Sequence, residues 1–366
     1  MESRENIASQ LELLGLDEIR RRAELIPNPS ARSRIIRRAE TIHDLLTEMP
    51  SADNLSFLHA GLCQTCLPHS RPARNHTPWK RESGRFTLLV RPGLIDKSDP
   101  REPSSCFAKQ PTDEEFERDY YVGVPYGTKA RLIMIHLQTE GMRSRIVSLG
   151  PSLSSFLRSL GLDVRGGPRG TIVPVREQCL RIARCTFTLQ WSGVSNTGDE
   201  HTIISDTNIV EGLNLWNAKR EDWSGEVELS ARFHEHLREH AVPLDKRGIA
   251  TLKGNSLGLD LYALFAYRLP RLKHDVHLSW AQLQSQIGTE YEDCWQLGRK
   301  VREVMPLVRS AYPHAKVEIT RNGITMQNSN PVVPHKTMVK GFSVVKQEAC
   351  ATEAVETEFA TRRIAP

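Results

Sequence analysis

The sequence lacks several features that would assign it to a large class of proteins. No stretch holds about 18 consecutive apolar residues, so no segment is predicted to cross a bilayer. Residues 1–6 lack the basic and then apolar layout of a secretory signal, and we expect a cytoplasmic protein. Seven cysteines, an odd number scattered along 366 residues, argue against a disulfide framework. Because 39% of the residues are hydrophobic, the chain can still build real cores, and we expect a soluble globular protein.

The residue patterns of common enzymes are also missing. The stretch nearest to a phosphate-cradling loop, residues 123–130, has the wrong glycine spacing and carries Ala130 where a magnesium-binding Ser or Thr is needed. His234 and His236 resemble the metal-holding pair of a DNA-nicking enzyme. They fall in a predicted helix, however, where positions two apart point in different directions. We therefore expect solvated surface histidines, no cofactor and no enzymatic activity.

One metal site is left open by a pair of cysteines with flanking histidines. Cys63 and Cys66 form a C-x-x-C motif, and His59 and His69 stand on either side of it. Thiolates and imidazoles are the ligands that structural zinc prefers. Such sites usually take a second ligand pair from farther along the chain, and no second C-x-x-C exists. We expect buried, unligated thiols and no metal, with zinc on these four residues as the alternative.

Positive charge is concentrated in one part of the chain. The whole sequence has a net charge of only +5, a weak sign of a polyanionic partner. Residues 129–190, however, contain ten basic residues and three acidic ones, so this stretch alone exceeds the charge of the whole protein. Charge concentrated in this way is typical of a surface that binds phosphates.

Two segments share one predicted order of elements. In the first, helices are predicted over 127–142, 152–160 and 174–184, followed by strands near 185–191 and 201–205. In the second, a helix over 256–269 precedes a short helix capped by Ser279, a long helix over 291–311 that bends or ends near Pro306, and a hairpin about Asn322 and Gly323. This is the order of a winged helix, whose third helix enters the major groove of DNA. A solvated basic face on an ordinary helical domain is the alternative that the pattern leaves open.

The predicted fold class is α+β, with two tandem winged-helix domains, each a helix-turn-helix plus a β-hairpin. A helical N-terminal extension covers 1–50, and a disordered C-terminal tail covers 335–366. The first winged-helix domain is predicted over 51–225, with a mobile loop at about 96–117, and the second over 226–334. The second segment carries eight basic and six acidic residues between 271 and 321, so we expect it to contact fewer phosphates than the first.

The basic residues on and around the predicted third helices are the candidate DNA contacts, because arginine reaches both guanine edges and phosphates. The predicted DNA-binding residues are Lys129, Arg131, Arg165, Arg169, Arg176, Arg181, Arg184, Arg299, Lys300, Arg302 and Arg309.

Several stretches together resemble the plasmid-encoded RepA replication initiators. They are residues 122–131, 137–140, 156–162, 167–170, 259–269 and 279–283, and the likeness extends over roughly 50–335. The resemblance implies a protein that binds the double-stranded DNA of its own plasmid origin, often at repeated sites. It also implies opening of nearby duplex and recruitment of host replication proteins, a helicase or a polymerase, and it leaves a homodimer open. A transcriptional repressor with the same domains is the alternative function.

Overall fold

A computed structural model describes residues 7–84, 86–94, 121–167, 170–194, 200–214, 225–288 and 290–334. Arg169, the loop predicted at 96–117 and the tail predicted at 335–366 lie outside the described residues. Helices and sheets are both present, so the α+β class is confirmed. None of the helices in the described part of the chain is long and apolar enough to span a membrane.

Three helices lie before the body of the protein. They are α1 (Ile7–Leu14), α2 (Leu16–Glu24) and α3 (Pro29–Thr47). The α3 helix begins where the Asn28 side chain accepts hydrogen bonds from the first free backbone amides and Pro29 supplies a preset φ angle. The three helices bury a small apolar cluster of their own, centred on Leu11, Ile19, Ala39 and Ile42.

The described residues in the middle of the chain form a second group of α-helices and β-strands. They are β1 (Leu55–His59), α4 (Ala60–Gln64), β2 (Trp79–Ser83), β3 (Phe86–Arg91), α5 (Gly127–Gly141), β4 (Ile146–Ser148), α6 (Leu153–Ser159), α7 (Ile172–Arg184), β5 (Thr186–Val194), β6 (Glu200–Asn208), β7 (Val210–Asn214) and β8 (Glu226–Leu229). We call residues 127–229 the first unit. The helices predicted in this stretch are present, with ends that differ by one or two residues.

The described residues from 231 to 334 form a third group of α-helices and β-strands. They are α8 (Ala231–His240), β9 (Ala241–Asp245), α9 (Lys246–Leu252), α10 (Ser256–Arg268), β10 (Val276–Ser279), α11 (Trp280–Ile287), α12 (Cys294–Ala311), β11 (Val317–Ile319) and β12 (Gly323–Met326). We call residues 256–326 the second unit. Ser279 caps α11 as predicted, in a reciprocal capping box with Gln282. The α12 helix runs on past Pro306 to Ala311, so the proline does not end it; buried Val304, Met305 and Val308 hold both sides of the proline on the core.

The strands form four antiparallel sheets, in the orders β2-β3-β5-β6, β4-β8-β7, β10-β12-β11 and β1-β9. The hairpin predicted near 185–191 and 201–205 is the β5–β6 pair, and its register runs from Thr186 opposite Asn208 to Val194 opposite Glu200. Its inner strand also pairs with β3, whose Phe86, Leu88 and Val90 alternate into the core. The hairpin therefore belongs to a four-stranded sheet.

One hydrophobic core continues through both units. The boundary predicted between 225 and 226 is crossed by the β1–β9 pair, in which Leu55 lies opposite Asp245 and His59 opposite Ala241. Side chains of α5 and α10 belong to the same buried cluster, together with Trp280 and Phe187. The two units are thus packed against each other by shared apolar surface.

Candidate nucleic-acid interface

Three exposed side chains lie along one side of α12. Trp295, Arg299 and Arg302 are spaced at i, i+4 and i+7, the spacing that brings residues onto one face of a helix. The opposite side of α12 is apolar and buried in the core, with Leu297 and Val301 among its contacts. Trp295 is 54% exposed, an uncommon state for so large an apolar side chain.

The β11–β12 hairpin holds Arg302 in place. The Arg302 guanidinium donates to the Thr320 carbonyl at 3.2 Å and lies 5.1 Å above the Trp280 ring, a cation–π distance. Trp280 is itself fixed by its indole N–H, which donates to the Arg321 carbonyl at 2.9 Å. Arg321 is exposed at the tip of the hairpin, next to the carbonyl that Arg302 contacts. We call Trp295, Arg299, Arg302 and Arg321 the α12 face.

Sequence reasoning missed two members of the α12 face. Trp295 was readable from helical spacing, because it precedes the two predicted arginines by four and seven positions on the same helix. Arg321 was predictable from the Asn322–Gly323 turn signal, because this turn places the preceding residue, Arg321, at a hairpin tip. Arg309, which was predicted, is half-buried and donates to the Val317 carbonyl at 2.8 Å, where it ties α12 to β11.

The predicted arginines of the first unit are divided between surface and interior. Arg165 is exposed ahead of α7 and forms an ion pair of 2.9 Å with Asp163. Its backbone carbonyl accepts from the Thr171 amide at 2.9 Å, which folds this loop against the start of α7. Arg184 is exposed at the last turn of α7, and Arg176 is half-buried on the same helix.

Arg131 is a correction to the predicted DNA-binding set. Its guanidinium is buried and binds the Asp260 carboxylate in the two-bond manner, with Nε 2.7 Å from Oδ1 and Nη2 2.6 Å from Oδ2. It also donates to the carbonyls of Leu67, Pro68 and Gly127. A side chain with its donors consumed in the interior has no surface to offer a phosphate; Arg131 joins the two units instead.

Arg181 is a second correction. Its side chain is fully buried, with Nη2 2.9 Å from a Glu177 oxygen and Nη1 donating to the Val124 carbonyl at 3.0 Å. Gly123 gives it room, because a Cβ at this position would lie 2.2 Å from Nη1. Gly123 also has a φ of 79°, a backbone conformation that residues other than glycine rarely adopt. Arg181 thus supports the loop that leads into α5.

Lys129 and Lys300 lie elsewhere. Both line a cavity between the units, where residues of α5, α7, α10 and α12 meet. Lys300 is exposed at its edge and pairs with Glu303 at 2.9 Å.

The four residues of the alternative zinc site are not brought together. His59 binds His236, with 2.9 Å between Nε2 and Nδ1, and the Cys63 thiol points to the Leu58 carbonyl at 3.9 Å. Burial raises the pKa of the Cys63 thiol and raises the pKa of Cys66 to about 12, so both thiols are held protonated. Because its ring binds His59, His236 is not the solvated surface histidine that was predicted from the sequence.

A different trio does converge. Donor atoms of Cys66, His69 and Asp260 all lie within 4.8 Å of one another. The Arg131 guanidinium already lies among them, 2.6 Å from Asp260 and 3.3 Å from the His69 ring. The His69 ring also binds the Ser256 hydroxyl at 3.0 Å and the Ile287 carbonyl at 2.7 Å. The trio therefore fits a guanidinium cation better than a metal ion.

Comparison with known proteins finds a similarity to one family over part of the chain. Residues 124–283 match the family described as plasmid encoded RepA protein, so the resemblance expected from the sequence is confirmed over this range. No curated protein matches the chain. A crystal structure of domains 2 and 3 of RctB, in selenomethionine form, is 14% identical to the chain, covers 75% of it and is itself covered to 96%, with a TM-score of 0.41.

Proposed function

We propose that this chain, similar over residues 124–283 to plasmid encoded RepA protein, is a plasmid replication initiator that binds the duplex DNA of its origin through two winged-helix units. We place it among DNA-binding proteins rather than enzymes. The observation that carries the proposal is the α12 face, which presents three cationic side chains and an indole on a helix and its adjoining hairpin. A helix flanked by a hairpin is the arrangement by which winged helices meet the major groove and the neighbouring backbone.

The second unit supports this interpretation by its strand pairing. Strand β10, which precedes α11, pairs with β12, the returning strand of the hairpin. The hairpin is thereby fixed to the helices, so its tip and α12 approach DNA as one rigid body. Rigid presentation lowers the entropy lost when the side chains bind.

The first unit also supports the proposed function, although its strand pairing differs from that of the second unit. Its short strand β4 pairs with β8, while the β5–β6 hairpin joins β2 and β3. We propose that α7 and Arg184 at its end, with Arg165 ahead of it, form the second DNA contact. In this scheme the long hairpin is an addition that reaches along the duplex.

A mechanism follows from two contacts on one chain. Copies bound side by side at repeated origin sites would each hold two segments of duplex, and their combined bending would favour opening of nearby A·T-rich DNA. Unstacking a base step costs a few kcal/mol, which further protein contacts offset. Host helicase or polymerase would then be recruited to the opened strand.

The α12 face is tested with three alanine variants in a fluorescence anisotropy titration against the origin duplex. Arg299→Ala and Arg302→Ala should each weaken binding by about 1–3 kcal/mol, and each should reduce the slope of log affinity against log salt by about 1 if it meets a phosphate. Trp295→Ala should weaken binding without changing that slope, because it removes no charge.

The matched control is Arg34→Ala, which removes an exposed arginine from α3. It should change affinity less than twofold, in keeping with roughly 0.5 kcal/mol or less for an uninvolved surface residue. Equal losses for Arg34→Ala and Arg299→Ala would show that only overall charge matters, and the α12 face would then be rejected as the contact.

A further inference from the structure

A cavity of about 570 Å³ lies between the two units. Its walls come from the start of α5, from α7, from the start of α10 and from α12, so both units contribute. Small-molecule sites in proteins usually have volumes of about 300–1,000 Å³. The lining residues include Arg71, Lys129 and Lys300 and no Asp or Glu. The cavity is thus suited in size to a small molecule and in charge to an anion.

The start of α5 opens into this cavity. Gly127, Thr128 and Lys129 form the first turn of a 15-residue helix and line the cavity wall. The preceding Tyr126 gives no side-chain cap to this helix, and its first turn contains no acidic residue. The Gly127 amide donates to the Pro68 carbonyl at 2.9 Å, which leaves the amides of Thr128 and Lys129 and the positive end of the helix dipole at the cavity wall. This arrangement favours phosphate.

A buried amide group points to a ligand independently of the helix. Gln178 is 2% exposed and lines the same cavity. Its Oε1 accepts from the Tyr126 backbone amide at 2.8 Å, which identifies Nε2 as the remaining atom. No acceptor among the described residues receives a hydrogen bond from Nε2. Nε2 is therefore available as a donor at the wall of the cavity, where an anion could accept a hydrogen bond from it.

Acidic groups near the cavity are already engaged. The Glu290 carboxylate accepts from the backbone amides of His69 and Ser70 and from the Ser70 hydroxyl. Glu303 pairs with Lys300 at 2.9 Å, with both side chains more than half exposed, so this contact is weak and solvent-screened.

We propose that this cavity binds a small phosphate monoester. Its phosphate lies on the first turn of α5, held by Lys129 and by the Gln178 amide. Its organic part fills the remaining volume beside the Tyr291 ring, which also lines the cavity. Because α5 and α12 belong to different units, the bound ester would tie the units together. The proposal does not depend on DNA binding by either unit.

Isothermal titration calorimetry of the full-length protein tests the proposal with four probes: AMP, ribose 5-phosphate, inorganic phosphate and adenosine. We expect AMP to bind with one site per chain, ribose 5-phosphate and phosphate to bind more weakly, and adenosine not to bind. Lys129→Gln should weaken AMP binding about tenfold or more, since it removes a charge-assisted hydrogen bond. Lys300→Gln is a second variant at the cavity. Because Lys300 is exposed, this substitution should not disturb the fold.

Lys273→Gln, which replaces an exposed lysine outside the cavity, is the control and should leave AMP binding unchanged. Three results would overturn the proposal: no binding of any phosphate probe at millimolar concentration, equal binding of adenosine and AMP, or equal loss in Lys273→Gln. A further titration with a short duplex separates the sources of phosphate. If Lys129→Gln weakens only duplex binding, the cavity receives the DNA backbone and the small-ester proposal fails, while the proposed DNA function stands.

Discussion

At the scale of single residues, the arginines show what a sequence can and cannot assign. Arginine type and helical position predicted contact with DNA equally well for Arg131 and Arg299. Arg131 is buried and Arg299 is exposed, because Asp260, far along the chain, accepts a hydrogen bond from Arg131 in the interior. No local pattern around position 131 reports that partner. Trp295, by contrast, was predictable from spacing on its helix alone.

The buried Arg131–Asp260 pair leads to a stability prediction. Arg131→Met leaves a buried carboxylate without its counter-charge and removes one donor from each of three carbonyls, and should lower the free energy of unfolding by about 3–5 kcal/mol. Urea unfolding followed by tryptophan fluorescence measures the loss. Arg299→Met, an exposed arginine of the same type, should change stability by about 0.5 kcal/mol or less. Equal effects of the two variants would contradict the structural role of the pair.

Several buried histidines make stability depend on pH, since burial also lowers the pKa of His59, of His69 and of His240. Burial lowers the pKa of His136 and of His236 to about 4 each, below the ordinary value near 6.5. Between these pH values the unfolded chain binds more protons than the folded one, so their contribution to stability is complete above about pH 6.5 and is lost as pH falls toward 4. The expected slope is at most about 1.4 kcal/mol per pH unit for each histidine.

Urea midpoints measured from pH 7 to pH 5 test this slope. His236→Gln should flatten the dependence, since it removes one of the buried histidines that bind a proton more readily in the unfolded chain. His314→Gln, an exposed histidine, is the control and should leave the slope as it is in the unmodified protein. An unmodified protein whose stability does not fall over this range would contradict neutral burial of the two rings.

At the scale of elements, local signals predicted the helices well and the sheets poorly. Caps are local, and Ser279 with its capping box fixed the start of α11. The Asn322–Gly323 turn likewise located the last hairpin. The pairing of β4 with β8 and of β1 with β9 joins residues far apart in sequence, where no turn sets the register. The cavity between units was unpredictable for the same reason, since it depends on how α5 and α12 pack.

Arg38 is one of the residues that dock the N-terminal helices on the body of the protein. Arg38 Nε donates to the Ser310 hydroxyl at 2.7 Å, and its Nη2 donates to the Pro306 carbonyl on α12. Arg38→Ala should release α3 locally, because hydrogen bonds from a charged donor contribute about 1.5–3 kcal/mol. Amide exchange across α3 should accelerate by roughly 10- to 100-fold while α10 stays protected.

Hydrogen exchange with mass spectrometry measures this effect. Arg37→Ala is the matched control, since the Arg37 side chain lies next to Arg38 in sequence and is exposed on the same helix. An Arg38→Ala protein with unchanged exchange would mean that other contacts hold α3, chiefly Arg247, which donates to the carbonyls of Asp44 and Glu48.

At the scale of the whole molecule, one core joins two units that each present basic residues outward. The shared core fixes the distance between α7 and α12, so under the proposed function a single rigid body would contact two segments of DNA. Half-site spacing in the origin should then be set by the protein and be constant from repeat to repeat. The phosphate-ester cavity between the units lies where a ligand would stiffen that spacing.

A gel-shift titration of the full chain on its plasmid's origin fragment, with scrambled DNA as competitor and at several salt concentrations, tests the central claim most directly. The account predicts a ladder of discrete complexes that survives the competitor, with affinity falling steeply as salt rises. A double variant that carries both Arg299→Ala and Arg302→Ala should no longer form the discrete complexes. Weak and equal binding to origin and scrambled DNA, unaffected by that double variant, would contradict the assignment of this protein as a sequence-specific initiator.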